Sequence, residues 1–115
     1  IESRLCINQA CVEQKVPALH GFAQEYGGEI VMVQPGVTAC LECTLDRDVV
    51  EPTEVPIMGV SAGMIGIYLT NMVIKYLTGC GELLAGQRLF WDFYLDQFIC
   101  FPLERRADCA ICNRM

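Results

Sequence analysis

Apolar residues are concentrated in one long run of the chain, from Ile57 to Leu77, between Pro56 and Gly79. The length and composition of this run predict a buried helix over about residues 60–78, and Gly79 is placed to end it in the left-handed conformation. Three glycines in its early turns remove side chains from the surface, which predicts that another backbone approaches the helix there. These glycines are Gly59, Gly63 and Gly66.

The same run raises the question of a membrane span, because it is long enough to cross the hydrocarbon core of a bilayer. Polar residues interrupt it, however, and its flanks are acidic, without the basic residues that mark the cytoplasmic side of spanning helices. We therefore expect a helix of the protein interior and no membrane span. The interrupting residues are Ser61, Thr70, Asn71 and Lys75.

Shorter apolar segments predict two β-hairpins. Residues 17–22 and 29–33 flank the Gly27-Gly28 pair, which readily takes the positive φ values of a tight turn. Residues 88–94 and 97–103 form the second pair of strand-like segments.

The remaining segments predict a helix and a long loop. Apolar residues at roughly helical spacing over residues 2–15, just before Pro17, indicate a short amphipathic helix. Residues 44–59 have little hydrophobic period, and two prolines in this segment break any helix. This segment is longer than a usual connection, which favours a loop that crosses the molecule.

Composition limits the classes of function. The 115-residue chain has 53% apolar residues and a formal net charge of −6, and it carries no basic stripe, which argues against nucleic-acid binding. Because the chain begins at Ile1, we expect it to be part of a longer product. Eight cysteines occur without a signal-peptide pattern, so we expect a reducing, cytoplasmic environment.

Four of the cysteines form two hooks, Cys40-x-x-Cys43 and Cys109-x-x-Cys112. Two intervening residues let both sulfurs of a hook reach one ion, so two hooks predict a closed tetrahedral Cys₄ zinc site of the structural kind. Such a site would clamp the end of the chain to a point about a third of the way along it. Disulfides or free thiols are the alternatives.

The other cysteines and the single histidine give weaker signals. Cys6, Cys11 and Cys100 fall in predicted regular structure and are expected to be small buried hydrophobic residues. Cys80, between two glycines, is the candidate for an exposed thiol, and His20 is expected to be structural. We expect no catalytic residue among them, and a thiol enzyme that uses Cys80 is the alternative.

The motifs of the chain occur in a recognisable order. Arg-x-x-x-Asn-x-x-Cys (Arg4, Asn8, Cys11) precedes Pro-Gly-x-x-x-Cys-x-x-Cys (35–43), and Leu-Thr-Gly-x-Gly-Glu-x-Leu-Ala-Gly (77–86) precedes a Trp-Asp strand and the terminal hook. This order, which covers essentially the whole chain, resembles the C-terminal half of the MoeB/ThiF/HesA family, the bacterial and archaeal relatives of ubiquitin-activating enzymes.

The resemblance implies an enzyme that uses MgATP to adenylate the C-terminal glycine of a ubiquitin-like sulfur carrier of the molybdopterin or thiamine type. It also implies a homodimer. The expected fold is α/β: residues 1–115 form the C-terminal portion of a Rossmann-like activating-enzyme fold. Its mixed sheet has antiparallel hairpins, a central buried helix and the zinc site.

The resemblance further implies that the carrier rests on strands 88–94 and 97–103, with its tail beneath the loop 44–59. Side chains alternate between the two faces of a strand, so part of the aromatic set in these strands should be exposed for docking and the rest should be core. The set is Phe90, Trp91, Phe93, Tyr94, Phe98 and Phe101.

Two departures from the family pattern limit what this portion can do. The Gly-x-Gly-x-x-Gly turn and the aspartate that hold the nucleotide are absent, so the nucleotide-binding half lies outside these residues and the chain alone should not adenylate. Arg4 is the nearest candidate nucleotide ligand, with a surface or interface role as the alternative. The predicted loop has no cysteine, which favours the MoeB-like branch.

A function of a different class also fits these residues. The chain could be a non-enzymatic, zinc-stabilised module for protein binding or dimerisation.

Overall fold

The computed structural model describes residues 1–45, 48, 50 and 52–114. The described residues form three helices, four strands and a short terminal 3₁₀ turn. In chain order they are α1 (Glu2–Gln14), β1 (Ala18–Gln24), β2 (Gly27–Val33), α2 (Leu41–Thr44), α3 (Gly59–Thr78), β3 (Gln87–Asp92), β4 (Gln97–Pro102) and the 3₁₀ turn Cys112–Arg114.

The four strands form one sheet in the order β1-β2-β3-β4, and every neighbouring pair is antiparallel. Both predicted hairpins are confirmed. The expected mixed sheet is wrong for the described residues, because the connection from β2 to β3 returns the chain antiparallel and no parallel pair is formed. The predicted helix over residues 2–15 is confirmed as α1.

The predicted loop is confirmed where the structure describes it. After α2, the described residues up to Met58 contain no helix or strand, while residues 46, 47, 49 and 51 lie outside the described part of the chain. The end of the loop is fixed to the sheet, because the Met58 backbone N–H donates to Glu25 O at 3.0 Å.

The first hairpin turns at Glu25 and Tyr26, not at the glycine pair, which begins β2. A Cβ atom on Gly27 would collide with the Trp91 carbonyl oxygen, and one on Gly28 would lie 2.6 Å from the Phe22 carbonyl oxygen. These glycines therefore allow close packing in the sheet and do not form the turn.

The long helix ends as predicted but is less buried than expected. Gly79 has φ 68° and closes α3 with a bond from its N–H to Lys75 O. Only three residues of α3 are buried, Ser61, Ile65 and Met72.

The three glycines of α3 face open space, because a Cβ added to any of them would have no atom within 4 Å. The predicted close approach occurs instead at Gly21 and Gly28 of the sheet, where a Cβ would meet Ile65 at 2.8 and 2.7 Å. Hydrophobicity alone did not indicate which element carries the small residues at the helix–sheet contact.

Among the described helices, α3 is long and apolar enough to cross a membrane by length and composition alone. In this structure 17% of the residues in its 18-residue apolar stretch are buried. The helix packs against β1 and β2. The absence of a membrane span stays a prediction.

The two faces of the sheet carry separate cores. One face packs against α3 through Ile30, Met32 and Leu89. The other packs beneath α1 through Val12, Val31 and Val33, and three of the hook cysteines belong to this second core.

Candidate metal centre

The first hook is held by a short hydrogen-bonded turn after β2. The Thr38 N–H donates to Gln34 O at 2.9 Å, while the Thr38 hydroxyl oxygen accepts the Gln34 N–H at 2.9 Å. Cys40 then stands at the N-terminus of α2 in an extended conformation. This turn points the hook towards the core under α1.

The second hook is brought back to the first by the segment after β4. The Leu103 N–H donates to Gly86 O at 2.9 Å, and Arg105 Nη2 donates to Thr38 O at 3.2 Å. The Arg106 guanidinium lies 3.8 Å from the Glu42 carboxylate and 3.7 Å from that of Asp108. The contacts of Arg105 with Thr38 and of Arg106 with Glu42 connect the segments that carry the two hooks.

The four sulfurs of the hooks form one cluster, with all of them within 4.8 Å of one another. The Sγ–Sγ distances are 3.9 Å for Cys40–Cys43, 3.7 Å for Cys40–Cys109 and 3.5 Å for Cys43–Cys112. Four sulfurs placed tetrahedrally at about 2.3 Å from an ion would be about 3.8 Å apart. The cluster therefore has the dimensions of a tetrahedral thiolate site.

The sulfur–sulfur distances also test the alternative that the hook cysteines form disulfides. A disulfide needs sulfurs about 2.05 Å apart, and all eight cysteines are free in this structure. The disulfide alternative is therefore wrong for this structure. The sulfurs lie as close as an ion requires without being bonded to one another.

The electrostatics of the cluster also favour a cation. Burial raises the pKa of Cys112, and the neighbouring Cys43 and Cys109 raise it further. Burial also raises the pKa of Cys109, but hydrogen bonds from the Cys112 and Ile111 N–H groups and from the Cys43 and Cys112 side chains together lower that pKa to about 7. Four clustered thiols cannot all ionise without a positive charge between them, which a bound cation supplies.

The donor set indicates the kind of ion. Four thiolates in a tetrahedral arrangement suit zinc or an iron–sulfur centre better than the oxygen-binding cations. Cys40, Cys109 and Cys112 are buried and Cys43 is half-buried, and no ligand position is left open for water. A metal held there would be structural.

Arg4, the candidate nucleotide ligand, anchors α1 to the sheet. Its Nη1 donates to Gly21 O, and its guanidinium carbon lies 4.1 Å from the centre of the Phe22 ring. A nucleotide role for Arg4 stays a prediction.

The aromatic set divides among three places. Phe90 and Phe101 lie on the face of the sheet opposite α3, whereas Trp91 and Phe98 lie on the α3 face, where both contact Tyr68. Phe93 and Tyr94 pack edge-on against Tyr26 at the hairpin tips, with ring centroids 5.5 and 4.9 Å away. The strands divide the aromatic residues between the two faces as expected, but none of the six is fully buried, so the expected core positions are wrong. A docking role for part of the set stays a prediction.

A groove lies on the sheet face opposite α3. It has a volume of about 500 Å³ and a mostly apolar lining that includes Phe90, Phe101 and Leu103. An ion pair is part of the lining: Arg88 Nε and Nη2 donate to the two Glu29 carboxylate oxygens at 2.7 Å each. Sequence reasoning missed this pair, because the partners are 59 residues apart.

The remaining candidates have mixed outcomes. Cys80 is exposed as predicted, but Cys6 and Cys100 are exposed as well, so their expected burial is wrong. Cys100 lies beside Leu89 on the α3 face, but on the edge strand β4. Cys11 is half-buried against the core around the hooks.

His20 is buried on β1, with 5% of its surface exposed. Burial and the Arg4 charge lower its pKa, and its Nε2 has no hydrogen-bond partner among the described residues. The structural role expected of His20 fits these surroundings.

Sequence reasoning also missed the part that Asn8 takes in the site. Asn8 is fully buried, and its Oδ1 accepts the Leu41 N–H of the first hook at 2.9 Å. Asparagine is a poor helix former, so its position in the middle of a predicted helix was the available signal.

Known proteins align with nearly the whole chain. It is 28% identical over 117 residues to the SAMP-activating enzyme E1 of Haloferax volcanii, in an alignment that covers 96% of this chain and 43% of that enzyme. It is 26% identical over 119 residues to the adenylyltransferase and sulfurtransferase MOCS3 of Aedes aegypti, covering 98% of this chain and 27% of that protein. The chain thus spans less than half the length of these relatives.

Solved structures share the fold. Escherichia coli MccB with MccA superimposes with a TM-score of 0.76 at 17% identity, covering 93% of this chain and 35% of MccB. A heterocyclase in complex with substrate and cofactor has a TM-score of 0.79 at 14% identity, covering 96% of this chain and 18% of that one. Such identities establish the fold alone. Residues 1–111 match the model of the ThiF family, and the chain belongs to that family.

Proposed function

We propose that this chain is the C-terminal portion of an ATP-dependent adenylyltransferase that activates the C-terminal glycine of a ubiquitin-like sulfur carrier. The observation that carries the proposal is the ThiF match over residues 1–111. The names of the relatives, a SAMP-activating enzyme and an adenylyltransferase and sulfurtransferase, support the same activity. In this proposal MgATP binds to the rest of the parent protein, with Arg4 as the nearest residue of this portion.

Within that enzyme, the four-cysteine cluster is proposed to hold a structural zinc ion. The tetrahedral spacing of the sulfurs and the absence of an open ligand position support this role. Bound zinc would neutralise the thiolates and fix the segment after β4 beside the first hook. No chemical step of adenylation is assigned to it.

The groove opposite α3 is proposed to dock the carrier protein. Its lining is apolar, and it offers one fixed polar pair, Glu29 and Arg88, for orientation. Binding sites commonly combine an apolar surface with a few fixed polar groups. Phe90 and Phe101 are the members of the aromatic set assigned to this docking, while Phe98 is assigned to the opposite face.

The parent is further proposed to be a cytoplasmic homodimer. The open face of α3 supports a further protein contact, made by a second subunit or by the rest of the parent, because it exposes several large apolar residues. Ile67 is 69% exposed and Leu77 is 75% exposed on this face. Free cysteines throughout the chain support a reducing compartment.

The test uses the full-length natural gene product. We expect ATP–pyrophosphate exchange that requires a carrier ending in Gly-Gly, together with one zinc per chain and a dimeric mass in sedimentation. The matched control is the same carrier without its terminal glycine, which should support no exchange because the carboxylate to be adenylated is displaced.

Zinc binding without exchange would contradict the adenylyltransferase and leave the non-enzymatic binding module. Exchange without zinc would retain the enzyme and remove the clamp. The two parts of the proposal are therefore tested separately.

A further inference from the structure

The motif Arg4-x-x-x-Asn8-x-x-Cys11 places three residues on one side of α1, because its spacings of four and three residues match the helical repeat. Arg4 reaches β1, and Cys11 packs against the core that includes the hook cysteines. Asn8 lies between them and is 0% exposed, an unusual degree of burial for an amide side chain.

The orientation of the Asn8 amide is fixed by its contact with the first hook. The Leu41 N–H lies 2.9 Å from Oδ1, and an N–H group can only donate, so the carbonyl oxygen must face it. The NH₂ group therefore points the other way. It is buried, and Nδ2 has no hydrogen-bond partner among the described residues.

An unpaired buried NH₂ group is energetically costly and needs an explanation. Cys40, next to Leu41 in the chain, is the explanation that the surroundings offer. Cys40 is fully buried, and the Asn8 side chain and the Cys43 N–H are among the groups that interact with its sulfur. A thiol is a weak hydrogen-bond acceptor, but a metal-bound thiolate is a good one.

We propose that Asn8 is a positioning residue of the metal centre. Its Oδ1 holds the first hook through the Leu41 N–H, and its Nδ2 donates to the Cys40 sulfur when that sulfur binds the ion. Outer hydrogen bonds of this kind orient metal ligands and tune their affinity. The inference rests on the proposed metal clamp, and it makes α1 part of the site.

The first test is Asn8→Asp in the full-length protein, with zinc affinity measured by competition with a chelator. Aspartate keeps an oxygen for the Leu41 N–H but replaces the donor with a negative charge beside Cys40. We expect affinity to fall about 10- to 100-fold, as for other outer hydrogen bonds of metal sites. The visible spectrum of the cobalt-substituted protein, which reports sulfur ligation, should shift with it.

The control is Gln14→Glu, which makes the same amide-to-carboxylate change at an exposed position of α1. It should leave affinity and spectrum unchanged. Native affinity in Asn8→Asp would overturn the inference while leaving the metal clamp in place. Absence of metal from the native protein would overturn both.

A second measurement avoids any substitution, in case Asn8→Asp does not fold. In native protein loaded with a spin-active cadmium isotope, a scalar coupling should connect cadmium to the Asn8 side-chain NH₂ through the Cys40 sulfur. Couplings to the backbone amides of Cys43, Ile111 and Cys112 serve as internal controls. Their presence without a coupling to Asn8 would overturn the inference.

Discussion

At the residue scale, Cys43 and Cys112 provide the most direct test of the clamp. Their sulfurs are 3.5 Å apart, although the two residues are 69 positions apart in the chain. We expect Cys43→Ser or Cys112→Ser to reduce zinc content and lower the melting temperature by several degrees, because part of the metal-binding free energy is folding free energy. Cys80→Ser, at an exposed thiol, is the control and should change neither quantity. Unchanged metal content in the hook variants would contradict the clamp.

His20 gives a residue-scale prediction about pH. Burial and the Arg4 charge lower its pKa from the ordinary value of 6.5, so the unfolded chain takes up the proton first as pH falls. Its contribution to stability is therefore complete above pH 6.5 and is lost as pH falls through the lower folded pKa. The loss is at most about 1.4 kcal/mol for each pH unit in that window.

The measurement is the free energy of unfolding between about pH 7.5 and 5 for the native protein and for His20→Gln, both with metal bound. Thiolate protonation destabilises both proteins equally, so the difference between their curves isolates the imidazole. The native protein should lose more stability than the variant below pH 6.5. Parallel curves would mean that the His20 pKa is the same in both states.

At the element scale, the contact between α3 and the sheet is made by glycines of the sheet. A Cβ on Gly28 would lie 2.6 Å from the Phe22 carbonyl oxygen and 2.7 Å from Ile65, and the oxygen belongs to backbone that cannot rotate away. We expect Gly28→Ala to destabilise the fold by about 1–3 kcal/mol, as overpacking does.

Gly63→Ala is the matched substitution on the helix, where nothing lies within 4 Å. In this chain it should stabilise α3 by up to about 1 kcal/mol, because alanine is the better helix former. Chemical denaturation of both variants checks the pair. If the two results were reversed, the helix glycines would be the ones in the contact.

The elements also indicate where sequence patterns are informative. The bounds of α1, α3 and both hairpins follow from periodicity and from Gly79, since these signals are local to the chain. The turn at Glu25 and Tyr26 and the open face of α3 do not follow from such local signals. They depend on which surfaces meet, and a glycine permits a tight turn as readily as a close contact.

At the scale of the whole molecule, the two faces of the sheet carry different parts of the proposed function. One face carries α3, and the other carries α1, the cysteine cluster and the groove with Phe90 and Phe101. Docking on the groove face would bring a carrier protein close to the clamp. Strand β4 presents Phe101 to the groove face and Phe98 to the α3 face.

Two phenylalanines of β4 test which face docks the carrier. Phe101 is 46% exposed on the groove face and Phe98 is 44% exposed on the other, so their substitutions remove similar exposed surface. We expect Phe101→Ala in the full-length protein to weaken carrier binding by more than about 1 kcal/mol, the threshold of an energetically important interface residue. Phe98→Ala should have little effect. Isothermal titration with the carrier measures both, and the opposite ranking would move docking to the α3 face.

The sequence by itself determined what depends on neighbours in the chain: helix α1, the ends of α3, the two hairpins, the two cysteine hooks and the resemblance to the ThiF family. Periodicity, turn residues and the two-residue hook spacing are local, and they act before the chain folds. The two hooks also predicted that they lie together in the folded chain, because a closed four-cysteine site needs both.

Only the tertiary structure decided which surfaces face each other. It turned the glycines of α3 outwards and paired Glu29 with Arg88 across 59 residues. It also divided the aromatic set between the two faces and the hairpin tips, and it buried Asn8 against the first hook. Each of these outcomes depends on the packing of segments far apart in sequence, and burial of apolar surface from all of them at once selects the arrangement.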